Sequence, residues 1–484
     1  MADPTILNID CHLTSRRMQR NLRSSIFRIP SMLKMQNEWA YKPHAFSFGP
    51  WHFRNQDLMR ATKQFKEMLF EGLIERLVEG QHVNVQVNMS ASEQELEGAT
   101  SAIIEKLKNA RSDKKKELEE AIKAVRSKAV ECYEEDTDVN KEEFDKLLVL
   151  DGCFIIELLR KGAGEVSLQE SDYILFSSGM ILTIYHDLFL LENQIPWFVL
   201  ELLFDKTRGP ESKMTLVELA ITFIHSAFST DDKHPISKEL LDSSSRIVHI
   251  IDLTVRYLGS SAKQREKQQP KQSQSRINWG CYLCSSAKES KKQQPKQSQS
   301  LINCNSIPSA TRLREAGVKF KTVAKRNILD VRFDKNKGNL EIPSLLIHPA
   351  MEAIFRNLIV FQICSPWVWW AWVAPSVIIN YTVLLDSLVD STEDVDLLCR
   401  SGIFSNWLNN KEAVDLLNRL RSGYQMDKFY YAHLCEEIDS YCRECSRQWR
   451  LSFIDNYLTK PWAIVSLIFA AIVLVFTIMQ VFYK

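Results

Sequence analysis

The chain has 484 residues, 45% of them hydrophobic and 25% charged, with a formal net charge of +1. That composition can bury a sizeable core and is long enough for two or three domains, while the near-zero charge and the lack of a long basic stripe argue against nucleic acid as a partner. The chain holds 15 glycines and no P-loop, dinucleotide-binding glycine pattern, Gly-x-Ser-x-Gly elbow or His-Glu-x-x-His sequence, so no cofactor is assigned and a non-enzymatic protein is expected.

Residues 1–26 read as a basic disordered tail. Arg16, Arg17, Arg20 and Arg23 precede Arg28 and Lys34 with no acidic residue between Asp10 and Glu38. Such a stretch suits an anionic membrane surface; an organelle transit peptide is the second reading. A body begins at 27 and runs through a turn-rich stretch, Tyr41 to His52, where Pro43 and Gly49-Pro50 forbid a continuous helix. Leu58, Phe65, Leu69, Leu73 and Leu77 then predict an amphipathic helix over 57–79. Residues 81–98 are polar and acidic, a loop by this reading. Leu118, Ile122, Val125, Ala129 and Tyr133 predict a further helix packed on the body.

The densest apolar region spans 144–205. Within it, Leu190-Leu191-Glu192-Asn193-Gln194-Ile195-Pro196 sets three polar residues between apolar runs, and Pro196 predicts one helix ending near Asn193 and another starting at Pro196. The favoured role of Glu192, Asn193 and Gln194 is to satisfy backbone groups exposed at a buried helix junction. The rival role is catalytic, with Asp151, Glu157, Asp187 or Glu192 as the working carboxylates of an enzyme at a bilayer. His44, His52, His186 and His225 read as lone histidines. The N-terminal part of the body is placed at 27–258.

Residues 259–311 differ in kind. Ser260-Ser261-Ala262-Lys263 returns as Ser285-Ser286-Ala287-Lys288, and Gln268 to Ser275 returns as Gln293 to Ser300, an offset of 25 throughout. This is a tandem duplication in a Gln/Ser/Lys-rich linker, expected to be disordered because it carries too few apolar residues to stack. Cys281 and Cys284, with Cys304 beyond, lie in it without a nearby histidine and make a poor zinc set.

The C-terminal part of the body, 312–458, opens with Val331-Arg332-Phe333, a Lys337-Gly338 turn and Leu340-Glu341-Ile342, which predict a small β-hairpin before further helices. Residues 357–385 carry no charge, but Pro366 and Pro375 divide them into pieces too short to span a bilayer. Trp367, Trp369, Trp370 and Trp372 form a cluster suited to a membrane interface or a partner, which supports a third reading, a lipid-binding body. His433, Cys435, Cys442 and Cys445 are the nearest approach to a ligand set; packing is favoured over metal binding or acylation.

From Trp462 to Tyr483 there is no charged residue. Twenty-two residues at about 1.5 Å each reach roughly 33 Å, against a hydrocarbon core of about 30 Å, so 462–483 is expected to be a single C-terminal transmembrane helix. Trp462, Ile464, Leu467, Phe469, Val475, Phe476 and Tyr483 are its representative residues. Arg443, Arg447, Arg450 and Lys460 precede it and only Lys484 follows, which predicts a tail anchor with the body cytosolic. The lipid bilayer and an unidentified protein are the partners expected. The fold class is mainly α: a multi-helix globular body, a small hairpin and the one spanning helix.

Several segments together resemble the plant-specific DUF247 family, also named UPF0481. They include Ile29-Pro30 with Asn37, Ala40-Tyr41-x-Pro43, Ser47-Phe48-Gly49-Pro50, and Leu150-Asp151-Gly152-Cys153-Phe154-Ile155-Ile156-Glu157-Leu158. Leu190 to Pro196, Ile342-Pro343-Ser344-Leu345, Arg356-Asn357-Leu358, Glu393-Asp394-Val395 and Gly402-Ile403 continue the likeness. Trp51-His52-Phe53 departs from the family's usual Tyr-His-His. The resemblance implies no catalytic residues, and it implies recognition or signalling roles, since some grass members are implicated as determinants of self-incompatibility.

Overall fold

The computed structural model describes residues 24–482 apart from 54–55, 83–92, 136–138, 210–211, 232–235, 237, 242–246, 269–306, 366–376, 422–428 and 454–460. The basic tail, the duplicated linker beyond Gln268 with its cysteines, and the tryptophan cluster therefore lie outside the described residues.

An arm of residues 24–53 opens the body, holding the short helix α1 (Ser31–Gln36) and a 3-10 turn at Glu38–Tyr41. It leads into two long helices, α2 (Gln56–His82) and α3 (Glu93–Glu131). The loop expected over 81–98 is shorter than its polar composition suggests, because α2 continues to His82 and α3 starts at Glu93.

At the centre stands α4 (Lys141–Gly162), started by the Asn140 side chain, which accepts a hydrogen bond from the Glu143 amide. From Phe144 onward it is buried on nearly every side, and its buried polar residues are paired inside the protein. Asp145 takes Arg126 of α3, and Asp151 takes Lys66 of α2 at 2.6 Å. Glu157 takes Arg76 of α2 and Arg160 of its own helix, and Arg160 in turn donates to the Thr207 carbonyl oxygen. Gly152 lets α4 closely approach the helix that carries Leu203: a Cβ there would lie 2.4 Å from Leu203 Cδ1.

The helices α5 (Ser178–Leu188), α6 (Trp197–Thr207), α7 (Leu216–Ser226), the one-turn α8 (Lys238–Leu241) and α9 (Ile250–Gln268) complete the N-terminal part. α7 begins with a reciprocal cap between Thr215 and Glu218. After α10 (Ala310–Glu315) come β1 (Lys319–Val323), β2 (Arg332–Asp334), β3 (Asn339–Pro343) and β4 (Leu345–Ile347). β2 and β3 are antiparallel, Phe333 opposite Leu340, which is the expected hairpin. β1 adds to the other side of β3 in parallel, giving the order β1-β3-β2, a pairing that no local turn signal could announce.

Then follow α11 (Met351–Cys364), α12 (Val377–Leu388), α13 (Thr392–Arg400), β5 (Phe404–Asn406), which pairs with β4, α14 (Asn410–Arg421), α15 (Ala432–Phe453) and α16 (Pro461–Phe482). One hydrophobic cluster runs from Ile26 through Phe154, Leu191 and Phe355 to Ile438, so residues before and after the linker share a core. The protein is mainly helical with a small sheet, as its periodicities predict.

The spanning helix expected over 462–483 requires correction. Among the described residues no helix is long and apolar enough to cross a membrane. The side chains described in α16, Phe469, Val475 and Phe476 among them, are exposed and extend from Phe469 to Gln480. Those of Trp462, Ile464, Leu467 and Tyr483 lie outside the description.

Candidate functional site

The greatest concentration of buried polar groups lies where the arm crosses the turn between α5 and α6. α5 ends at Leu188, five residues before the end expected at Asn193, and α6 starts at Trp197 behind Pro196. The chain between them is irregular and almost wholly buried, so its peptide groups need partners from side chains. Gln194 supplies some, its Nε2 donating to the Leu188 carbonyl at 2.7 Å and that of Leu190 at 2.9 Å. Asn193 faces the other way: Nδ2 donates to the carbonyls of Asp187 and Phe46, and Oδ1 accepts from the Phe48 amide at 2.6 Å.

Three carboxylates extend this grip along the arm. Asp187 accepts the amides of His44 and Ala45 at 2.8 Å and of Phe46 at 2.6 Å, and its Oδ1 also lies 2.8 Å from His186 Nδ1. Asp151 accepts the Gly49 amide at 2.9 Å while Lys66, which also donates to the Ser47 carbonyl, neutralises it. Burial pushes the Asp151 carboxyl upward, and the Lys66 charge with its hydrogen bond holds it back. Glu192 takes the Ile29 amide at 2.7 Å and the cations of Lys34, at 2.7 Å, and Arg28, at 3.2 Å.

At Gly49 the backbone turns with φ +70°, and an added Cβ would stand 2.9 Å from the Gln194 carbonyl oxygen. Only glycine fits that approach without strain. The C-terminal part closes over the same place: Asn357 of α11 accepts from the Leu191 amide and donates to the Ala40 carbonyl, and Glu352 accepts from Asn37, Arg356 and Arg419. Burial opposes the Glu352 charge, but the hydrogen bonds from Arg419, Asn37 and Arg356 hold its carboxyl below the usual range.

One side of the junction reaches the surface. His44, which is exposed, stacks on buried His186 with ring centroids 3.7 Å apart, and Trp39 packs against both. Burial and the neighbouring His186 lower the His44 pKa, opposed by Asp187. Among the described residues His44, His186 and Asp187 form a group whose ligand atoms all lie within 4.8 Å of one another. His433, Cys435, Cys442 and Cys445 on α15 form no such group.

The carboxylates singled out from sequence are thus partly gathered. Asp151, Asp187 and Glu192 all hold the arm, whereas Glu157 holds Arg76 of α2 instead. All four are buried, with 0–2% of their surface exposed, and their oxygens are occupied by amides and cations. Glu192, Asn193 and Gln194 satisfy backbone groups at the junction, the role favoured from sequence. The pairing of His44 with His186 escaped sequence reasoning, because a contact across 142 positions leaves no spacing signature; both read as isolated histidines.

Every element of this clamp falls within residues 26–476, which match the family described as DUF247, plant protein of unknown function. The chain belongs to this family. Over 94% of its length it is 24% identical to a UPF0481 protein of Arabidopsis thaliana, covering 85% of that relative. A putative UPF0481 protein of the same plant is 28% identical across 37% of this chain and 33% of its own. No solved structure matches. In this DUF247 chain the segments that carry the likeness, around Ser47 to Pro50, Asp151 to Glu157 and Leu190 to Pro196, are the ones that meet in the clamp.

Proposed function

We propose that this plant protein is a non-enzymatic interaction protein, in its finer form a recognition protein of the self-incompatibility or signalling type. The observation that supports this reading is the commitment of the junction's polar chemistry. Asp151, Asp187 and Glu192 have the burial and charge of catalytic groups, yet each spends its oxygens on arm amides and fixed cations, leaving the arm rigid and its outer face displayed. On that face Met32, Met35 and Trp39 are exposed. A rigid arm with apolar side chains outward suits contact with another macromolecule better than turnover of a small substrate.

The test is affinity capture with the full-length chain in plant tissue, run beside a Met32→Ser/Met35→Ser variant. The reading expects a defined set of neighbours with the native chain and its depletion at least several-fold in the variant. Recovery of the same neighbours by an unrelated control of equal abundance counts against it.

A further inference from the structure

His186 presents its two ring nitrogens to two oxygen acceptors. Nδ1 lies 2.8 Å from the Asp187 carboxylate, which can only accept, so Nδ1 carries a proton. Nε2, on the far side of the ring, lies 3.2 Å from the carbonyl oxygen of Trp39, which also can only accept. The His44 ring hydrogen-bonds the Trp39 backbone as well. With Nδ1 as the donor to Asp187, Nε2 presents its lone pair to the space it shares with the Trp39 carbonyl oxygen, and the His44 ring stacks beside it, so that imidazole and carbonyl donors converge on one place.

From this convergence we infer that His44 and His186 form a binding site for a divalent transition metal, with the Trp39 carbonyl oxygen as third ligand and Asp187 behind His186 as the orienting carboxylate. A carboxylate accepting the distal N–H of a histidine is the arrangement that fixes a ligating imidazole with its other nitrogen bare. Asp187 is not itself a free ligand, because Oδ1 already accepts from the His44 amide and His186 Nδ1, and Oδ2 from the amides of Ala45 and Phe46. The separation of 3.2 Å between Nε2 and the carbonyl oxygen suits a tetrahedral ion, whose ligands at about 2.0–2.1 Å stand roughly 3.3 Å apart. His44 stacks over His186 and would turn to join them; as the exposed member it has room to do so and opens an entry path. Two imidazoles with one oxygen favour zinc, cobalt, nickel or copper over magnesium or calcium. Water completes the coordination.

The test uses the purified full-length chain stripped with chelator and titrated with Zn²⁺, and separately with Co²⁺ for its visible absorption. The expected result is one equivalent bound, with cobalt bands of four- or five-coordinate geometry and perturbation of the His44 and His186 ring resonances. His44→Ala weakens binding at least tenfold, while His433→Ala leaves it unchanged. Because His44 is exposed, its replacement does not endanger folding, which circular dichroism verifies. No uptake of either ion, or uptake indifferent to His44→Ala, overturns the site.

Discussion

Two regions of this molecule hold their shape by opposite means. In the junction, charged groups are buried and each is assigned to named amides: Asp187 to His44, Ala45 and Phe46, Glu192 to Ile29, Asp151 to Gly49. Around the small sheet and α15, contacts between elements are largely aromatic and apolar, as in Phe333 against Tyr441, while pairs such as Arg443 with Asp439 and Lys337 with Asp334 involve well-exposed lysines and arginines. A buried carboxylate costs several kcal/mol to desolvate, so it is tolerated only when every lone pair is used, and a complete set specifies one arrangement of the chain. An exposed pair has water as an alternative partner and specifies little.

Replacing Asp187 by Ala breaks the comparison most severely. Three backbone donors lose their acceptor, Phe46 in the core and His44 and Ala45 at its edge, so a total of about 3 kcal/mol or more is expected and recovery of folded protein will fall sharply. Denaturant midpoints of the soluble fraction measure it. Gly49→Ala comes next, at about 1–3 kcal/mol, since both the positive φ and the Gln194 carbonyl resist a Cβ. An unchanged midpoint there would show that the arm can shift without penalty.

Acid discriminates the regions in a graded way. His249 accepts from the Asp252 amide through Nδ1 and donates through Nε2 to the Ser25 carbonyl at the start of the arm, so its neutral form is built in, and burial lowers its pKa to about 3. His52, at the end of the arm, is lowered to about 4 by burial, and His348, which contacts the Ala227 carbonyl, also to about 4. With folded values below the ordinary 6.5, the unfolded chain binds more protons as pH falls. Stability contributed by these groups is therefore full above pH 6.5 and declines as pH falls towards 4, by up to about 1.4 kcal/mol per unit for each. Chemical denaturation at pH 7.5, 6 and 5 measures the decline; His249→Asn should reduce its slope. The smallest effect is expected on α15, where Asp439→Asn changes stability by less than about 0.5 kcal/mol and the change vanishes in high salt.

What could be seen in the sequence follows the same division. Helices α2 and α3 and the β2–β3 hairpin announced themselves because apolar periodicity and the Lys337-Gly338 turn are local signals. The polar role of Glu192, Asn193 and Gln194 was also visible, since a proline-ended junction leaves peptide groups to satisfy. The partners of those residues were not visible. Nothing near Asp187 points to His44, and nothing near Asn357 points to Ala40, because these bonds are made by tertiary folding across more than 140 positions. β1 was missed for the same reason, its pairing with β3 being parallel and non-local. The terminal segment errs in the other direction: its apolar run, taken as a linear pattern, implied a spanning helix, whereas among the described residues no helix is long and apolar enough to cross a membrane.

The central claim is that carboxylates of the junction are consumed in pinning the arm, and native-state hydrogen exchange of the His44, Ala45 and Phe46 amides tests it most directly. If Asp187 holds them, these amides exchange in the native protein only on unfolding of the arm, with protection comparable to that of α4, and Asp187→Asn lowers their protection selectively by at least a hundredfold while the β3 amides keep theirs. Rapid exchange at these three positions in the native chain, or protection unaltered by Asp187→Asn, would contradict the account.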